Sequence, residues 1–110
     1  MKRNLTLYFW LVLICMIAVT TWASLDDDIF SGGGRMLQEP WGWATLVDAY
    51  FGFLAFYIWI LYREAKWLPR ALWFVAILLF GNIAMAIYAL MVLRRLPANA
   101  GLADFIEARR

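Results

Sequence analysis

The sequence contains no histidine and a single cysteine, Cys15. Imidazole is the usual ligand of haem and zinc and the commonest general base, so its absence excludes most sites of those kinds. One cysteine cannot form an intramolecular disulfide, and Cys15 lies within an apolar run. No serine or threonine has an evident activating partner. We therefore expect no catalytic, cofactor or metal site and no enzymatic activity.

Charge is also scarce, because charged residues make up 16% of the 110 residues while hydrophobic residues make up 65%. An ordinary soluble domain has roughly 25% and 45–50%. A chain of this length forms one domain and cannot bury such an excess in its own core. The net charge of +2 is too small to predict binding to nucleic acid. The composition instead predicts an apolar surface covered by a lipid bilayer.

Three apolar runs are long enough to cross a bilayer, which takes about 20 helical residues. They cover residues 4–25, 41–62 and 71–93; only the second contains a charged residue, Asp48. Within lipid these runs must be helical, because each backbone polar group needs a partner inside the segment. The predicted fold is therefore an all-α integral membrane protein with three transmembrane helices, short connections and a short C-terminal tail.

The connections differ in character. Residues 26–40 are predicted to form an acidic, glycine-rich flexible loop, with Pro40 suited to the start of the second helix. Residues 63–70 are predicted to form a tight basic turn. The tail, residues 94–110, is predicted to contain a short interfacial helix at 102–107.

The first run has a second interpretation, as a cleaved signal peptide. Lys2 and Arg3 would form its basic region, and Thr21-Trp22-Ala23 is a tolerable cleavage motif. The run is longer than the apolar region of a usual signal peptide, which favours a retained helix.

Basic residues that flank the spans predict orientation, because cytoplasmic segments carry an excess of Lys and Arg. With three spans the count is a tie: Lys2, Arg3, Arg63, Lys66 and Arg70 lie on one side, and Arg35, Arg94, Arg95, Arg109 and Arg110 on the other. We favour a plasma-membrane protein with a cytoplasmic N-terminus, because the first helix usually dominates and the second connection is strongly basic.

Asp48 is the most informative polar residue, since it lies about 10 Å along the second predicted helix. A carboxylate at that depth costs a few kcal/mol unless it is paired, neutral or hydrated. Helical spacing places it on one face with Thr45, Gly52, Ala55 and Trp59, a face that is mostly small and polar. Small residues allow helices to approach closely in lipid, so we expect this face to point into the bundle.

The third run contains a matching polar residue, Asn82, next to Gly81. In an antiparallel pair Asp48 would lie about one turn from Asn82, and a direct or water-bridged hydrogen bond between them is predicted.

Three other interpretations of Asp48 stay open: a helix-end carboxylate reached by interfacial water, a position on a proton, ion or ligand path, and a contact with a partner protein. For Asn82 the simplest role is a hydrogen bond between helices.

Two clusters of charge border the predicted helices. Arg63 and Glu64 are interpreted as an anchor, through a local ion pair or contact with lipid headgroups. Asp26, Asp27 and Asp28 could attract a divalent cation, but adjacent carboxylates in a flexible loop do not form a preformed cage. A solvated acidic loop is the simpler interpretation.

Three segments, residues 43–53, 59–64 and 80–84, carry a resemblance to a known family. They combine an aspartate, a phenylalanine-rich helix, a Tyr-Arg-Glu end and a Gly-Asn pair, and together they resemble the short membrane proteins grouped as domain of unknown function 1475. The resemblance covers about half of the chain; it implies a membrane fold and no particular activity. It draws attention to Asp48, Gly52, Glu64, Gly81 and Asn82.

The sequence leaves three hypotheses about function, each from a different class of protein. The leading hypothesis is a non-enzymatic membrane protein that acts through helix–helix contacts, as an accessory subunit of a membrane-protein partner or as a small homo-oligomer. The alternative is a small oligomeric transporter with a site near Asp48, Asn82 and Tyr88, which the absence of a proline or a glycine pair that breaks any run disfavours. The third hypothesis is an enzyme that acts on lipids. It is disfavoured because the sequence lacks a nucleophile–base pair and a metal cluster.

Overall fold

The computed structural model describes residues 1–107, in which the regular elements are helices. They are α1 (Lys2–Asp26), α2 (Ile29–Met36), α3 (Pro40–Arg63), α4 (Trp67–Phe80), α5 (Asn82–Arg94) and α6 (Leu102–Ile106). Two of them, α1 and α3, are long and apolar enough to cross a membrane. The all-α fold class and the first two predicted spans are therefore confirmed as helices.

The prediction of a third membrane-spanning helix is wrong. The apolar run 71–93 is divided at Gly81 into α4, with 14 residues, and α5, with 13. Helices of that length measure about 20 Å and are too short to cross roughly 30 Å of hydrocarbon. Gly81 has φ 53° and ψ −121°, a conformation that residues with a side chain rarely adopt.

The two short helices form an antiparallel hairpin around Gly81. Trp73 of α4 packs edge-on against Tyr88 of α5, with ring centroids 5.0 Å apart. Ile77 of α4 and Ala84 of α5 are both buried in the same core cluster. Since α5 returns along α4, the hairpin ends on the side of the molecule from which it starts.

Three other elements meet at the open end of this hairpin. The first turn of α1 lies beside the end of α5, where Lys2 Nζ donates to the Leu96 carbonyl oxygen at 2.7 Å. The last turns of α3 lie against α6, where the rings of Trp59 and Phe105 are 4.9 Å apart. We call this side of the molecule the basic end. It carries Lys2, Arg3, Arg63, Lys66, Arg70, Arg94 and Arg95.

The tip of the hairpin reaches only the middle of the long helices. On α3, Tyr50 Oη donates to the Leu78 carbonyl oxygen at 3.1 Å, and Phe53 lies against Gly81. On α1, Val12 borders the same tip. One half of the molecule therefore contains the core, packed between α1, α3, α4, α5 and the short α6, and the other half contains the rest of α1 and α3 together with α2. The core residues are Ile60, Ile77, Ala84, Tyr88, Ala89, Val92, Leu93 and Phe105.

The side opposite the basic end, which we call the acidic end, contains a helix where a flexible loop was predicted. Asp28 begins α2: its carboxylate accepts from Ser31 N at 2.7 Å and from Ser31 Oγ at 3.2 Å. These hydrogen bonds favour the charged form and lower the pKa of Asp28. Asp27 forms an ion pair with Arg35. Three glycines disfavour a helix by intrinsic propensity, so this one depends on its cap and ion pair.

Two smaller predictions about helix boundaries are confirmed. Pro40 is the first residue of α3, where its missing N–H is not needed. The tail contains α6, and Asp104 Oδ2 accepts from Gly101 N at 2.9 Å at the start of that helix.

Candidate functional site

The small polar face of α3 is exposed in the chain. Its members are Thr45, Asp48, Gly52 and Ala55. Thr45 Oγ1 donates to the Trp41 carbonyl oxygen of its own helix at 2.8 Å, and a Cβ on Gly52 would meet nothing within 4 Å. The expectation that this face points into the bundle is therefore not met within one chain.

A different face of α3 packs against the hairpin, and it is aromatic. Tyr57 Oη donates to the Arg70 carbonyl oxygen at 2.7 Å, and its ring lies 5.2 Å from that of Phe74. Tyr50 and Phe53 contact the hairpin tip from the same side of α3. Aromatic rings bury more area than small residues, and tyrosine hydroxyls satisfy backbone carbonyls, which explains why this face is turned inward.

Asn82 occupies the tip of the hairpin, on the side that faces α1. It is exposed and lines a cavity of about 270 Å³ together with Tyr8, Phe9 and Met85. Within residues 1–107 no hydrogen bond joins it to Asp48; the side-chain hydrogen bonds that join α3 and Glu64 to the hairpin involve tyrosines and Arg70 instead. The direct hydrogen bond that was predicted between Asp48 and Asn82 is therefore not formed within the described residues.

Glu64, by contrast, has a defined partner. Its Oε2 accepts from Tyr88 Oη at 2.8 Å. Tyr88 is buried, with 3% of its surface exposed, and its ring packs edge-on against Trp59 at 5.4 Å as well as against Trp73. A tyrosine hydroxyl buried among aromatic rings needs an acceptor, and the residue after α3 provides it. The pair ties the end of α3 to the middle of α5.

Arg63 is the most deeply buried charged residue of the described chain, with 5% of its surface exposed. Its Nη1 donates to the Phe105 carbonyl oxygen at 2.7 Å and also to that of Glu107. The guanidinium carbon lies 5.6 Å from the ring centroid of Trp59, a cation–π geometry. Arg63 therefore fastens α6 to the end of α3, rather than forming the local pair with Glu64 that the sequence left open.

Arg70 completes this network from the first turn of α4. Its Nε donates to the Glu64 carbonyl oxygen at 2.7 Å and its Nη2 to that of Leu61 at 2.9 Å. The last carbonyls of a helix lack intrahelical donors, so these bonds cap α3. We call Trp59, Arg63, Glu64, Arg70 and Tyr88 the basic-end cluster. Its hydrogen bonds join parts of the chain to one another, a role different from the local ion pair or headgroup contact that the sequence predicted for Arg63 and Glu64.

Comparison with known proteins gives one match. The sequence model of a family described as protein of unknown function (DUF1475) matches residues 6–105. This confirms the resemblance found in the three segments and extends it over nearly the whole chain. No curated protein and no solved structure matches the chain.

Proposed function

The chain belongs to the DUF1475 family, and from its own geometry we propose that it is an integral membrane protein that acts through helix–helix contacts rather than catalysis. In this proposal α1 and α3 cross the bilayer. The α4–α5 hairpin enters from the basic end, turns at Gly81 near the midplane and returns.

The exposed surface supports this placement. Helix α1 has no buried residue, and Trp22, Phe51 and Ile58 expose 70%, 69% and 67% of their surfaces. Soluble monomers rarely expose contiguous apolar patches larger than a few hundred Å². The molecule is also 47 Å long, which matches the roughly 40–45 Å of a bilayer with its headgroups.

The hairpin changes how the Lys and Arg residues are distributed between the two sides of the membrane. With three spans the two sides carried equal numbers, which did not predict an orientation. Because α5 ends where α3 ends, seven of the eight described Lys and Arg residues lie at the basic end, and Arg35 lies at the acidic end. Arg109 and Arg110, which also entered the earlier count, lie outside the described residues. The excess of positive charge on cytoplasmic segments supports a cytoplasmic basic end. The N-terminus and α6 would then share the cytoplasmic side.

Cysteine labelling tests this topology. In a Cys15→Ser background, Gly33→Cys at the acidic end and Gly101→Cys at the basic end are expected to react with an impermeant maleimide from opposite sides of the membrane. An Asn4→Cys variant serves as the control and should react from the same side as Gly101→Cys. Reaction of Gly33→Cys and Gly101→Cys from the same side would indicate three full spans and contradict the proposal.

The exposure of Asp48 is the main observation that supports a role in helix–helix contacts. It is exposed on α3, about 12 Å from the first residue of that helix. In the proposed placement this carboxylate would face acyl chains, at a cost of a few kcal/mol. Gly52 and Ala55 beside it permit the close approach of another helix, and Thr45 is a further polar contact. A helix from a second copy or from a partner subunit would cover the face and supply a hydrogen-bond donor.

Substitutions on this face are expected to weaken association. Gly52→Leu obstructs the close approach of helices and should lower the association constant at least tenfold; Asp48→Leu removes a polar contact and should lower it about fivefold. Energy transfer between labelled copies in liposomes measures the homo-oligomer, and purification in mild detergent identifies a partner subunit.

Leu54→Trp is the matched control, because it adds bulk to an exposed position of α3 that lies away from this face. Its association constant should stay within twofold of the wild type. A chain that remains monomeric in liposomes and copurifies with no partner would contradict the proposed role, as would association unchanged by Gly52→Leu.

A small oligomeric transporter is the second candidate, and the break at Gly81 is the observation that favours it. Transporter sites often use discontinuous helices near the midplane, and Asn82 begins α5 at the hairpin tip. The apparent lack of a break had counted against this function. Solute flux into liposomes that is lost in Asn82→Leu would favour transport over a pure interaction role, whereas flux equal to that of empty liposomes would count against it.

A further inference from the structure

An apolar groove runs between α1 and α5 and opens at the basic end. Trp10 and Leu13 of α1 and Ile87 and Met91 of α5 form its walls, and it has a volume of about 440 Å³. Lys2 and Arg94 lie at its open end. The groove therefore combines a long apolar wall with two positive charges at one extremity.

The two cations at the open end are available to a ligand. Lys2 Nζ uses one proton in its hydrogen bond to the Leu96 carbonyl oxygen, which positions the ammonium group and leaves two further donors. Arg94 is exposed. Among residues 1–107 the one ion pair is Asp27–Arg35, at the acidic end, so no carboxylate neutralises either cation of the groove.

The length of the groove matches one leaflet of a bilayer. From Lys2 to Leu13 α1 rises about 16 Å, and half of a hydrocarbon core is about 15 Å. The open end would lie at the headgroup level and the closed end near the midplane, beside the hairpin tip. An acyl chain could follow the wall while a phosphate contacts both cations.

A helix placed on this groove would lie mostly outside it. A helix about 10 Å wide and 16 Å long takes up about 1,200 Å³, nearly three times the space present. A free inorganic phosphate would leave the apolar wall unused. The matching ligand carries a negative charge at one end and a long hydrocarbon chain at the other.

We propose that the groove between α1 and α5 binds one anionic phospholipid, with its phosphate between Lys2 and Arg94 and an acyl chain along Trp10, Leu13, Ile87 and Met91. This inference rests on the proposed membrane placement. Basic pockets between membrane helices on the cytoplasmic side bind anionic headgroups in general, and here the positive charge and the apolar wall belong to the same groove.

Native mass spectrometry of the full chain in mild detergent, with equal amounts of phosphatidylglycerol and phosphatidylcholine, tests the site. The wild type should retain one phosphatidylglycerol in preference to phosphatidylcholine. Each of Lys2→Gln and Arg94→Gln should lower that preference about fivefold, and the double variant about 25-fold. Met91→Trp, which fills the wall, should lower retention of both lipids without changing the charge.

Lys66→Gln is the matched control, because Lys66 is an exposed cation at the basic end that does not line the groove. It should keep the wild-type preference within twofold. Equal retention of the two lipids by the wild type would overturn the proposal, as would a loss in Lys66→Gln equal to that in Lys2→Gln. Displacement of the lipid by 10 mM inorganic phosphate would assign the site to a free anion and overturn it as well.

Failure of the lipid site can be told apart from failure of the membrane placement. Resistance of the wild type to alkaline extraction from vesicles and the cysteine labelling described above depend on placement alone. A protein that passes both tests and still binds the two lipids equally lacks the lipid site only. A protein that fails them refutes the placement, whatever lipid it retains in detergent.

Discussion

Gly81→Leu is expected to lower the free energy of unfolding by at least about 3 kcal/mol and to open the α4–α5 hairpin. Two costs combine in this variant. The positive φ of 53° is unfavourable for any residue with a Cβ, and that Cβ would lie 2.7 Å from Phe53 Cζ in the middle of α3. Circular dichroism in mild detergent, with SDS added stepwise, measures the change in stability.

Two further variants separate these two costs. Gly33→Leu, where a Cβ meets nothing within 4 Å, should change stability by less than about 1 kcal/mol. Combining Gly81→Ala with Phe53→Ala removes the steric contact and keeps the backbone cost, so the double variant should be more stable than the sum of the single changes predicts. Strict additivity, or a Gly81→Leu protein as stable as the wild type, would contradict the packing of the hairpin tip on α3.

Arg63→Ala is expected to cost about 3 kcal/mol and to release α6 from the basic end. The variant loses two hydrogen bonds from a charged donor, to the carbonyl oxygens of Phe105 and Glu107, together with the cation–π contact with Trp59. Limited proteolysis should cleave the α6 segment in this variant under conditions that leave the wild type intact. The same SDS titration gives the loss in stability.

Two arginine variants control for charge alone. Arg35→Ala removes an exposed ion pair and should cost less than about 1 kcal/mol without exposing α6 to protease. Arg63→Lys keeps the positive charge but cannot reproduce the planar guanidinium contacts, so its effect should lie between those of the wild type and Arg63→Ala. Equal protection of α6 in all four proteins would show that Arg63 does not hold the tail.

The long helices could be predicted from the sequence because their lengths follow from the apolar runs. Residues 4–25 and 41–62 fall within two residues of α1 and α3 at each end, since charged residues and Pro40 mark the limits. The hairpin could not be predicted in this way. A straight helix and a hairpin over residues 71–93 have the same hydropathy, and the choice depends on the conformation of Gly81 and on its contact with Phe53.

For the candidate site residues, too, the sequence predicts local features but not contacts between distant segments. Helical spacing correctly grouped Asp48 with Gly52 on one face, because spacing is a local property. Either this face or the aromatic face of α3 can pack against the hairpin. Which of them does so depends on contacts between segments that are distant in the sequence. Glu64 was singled out from a resemblance, but its partner Tyr88 lies on another helix. The partners of Arg63 lie still further along the chain, in α6 and directly after it, and no periodicity connects them.

The half-length hairpin also gives the molecule a tapered shape. Four helices, each about 10 Å across, and the short α6 fill the half next to the basic end, whereas the other half contains the two long helices and the short α2. In a bilayer such a molecule takes up more area in one monolayer than in the other. Several copies side by side would pack as wedges, and the membrane around them would bend away from the broad basic end. In the proposed placement the chain would respond to membrane curvature, or contribute to it, through its cross-section alone.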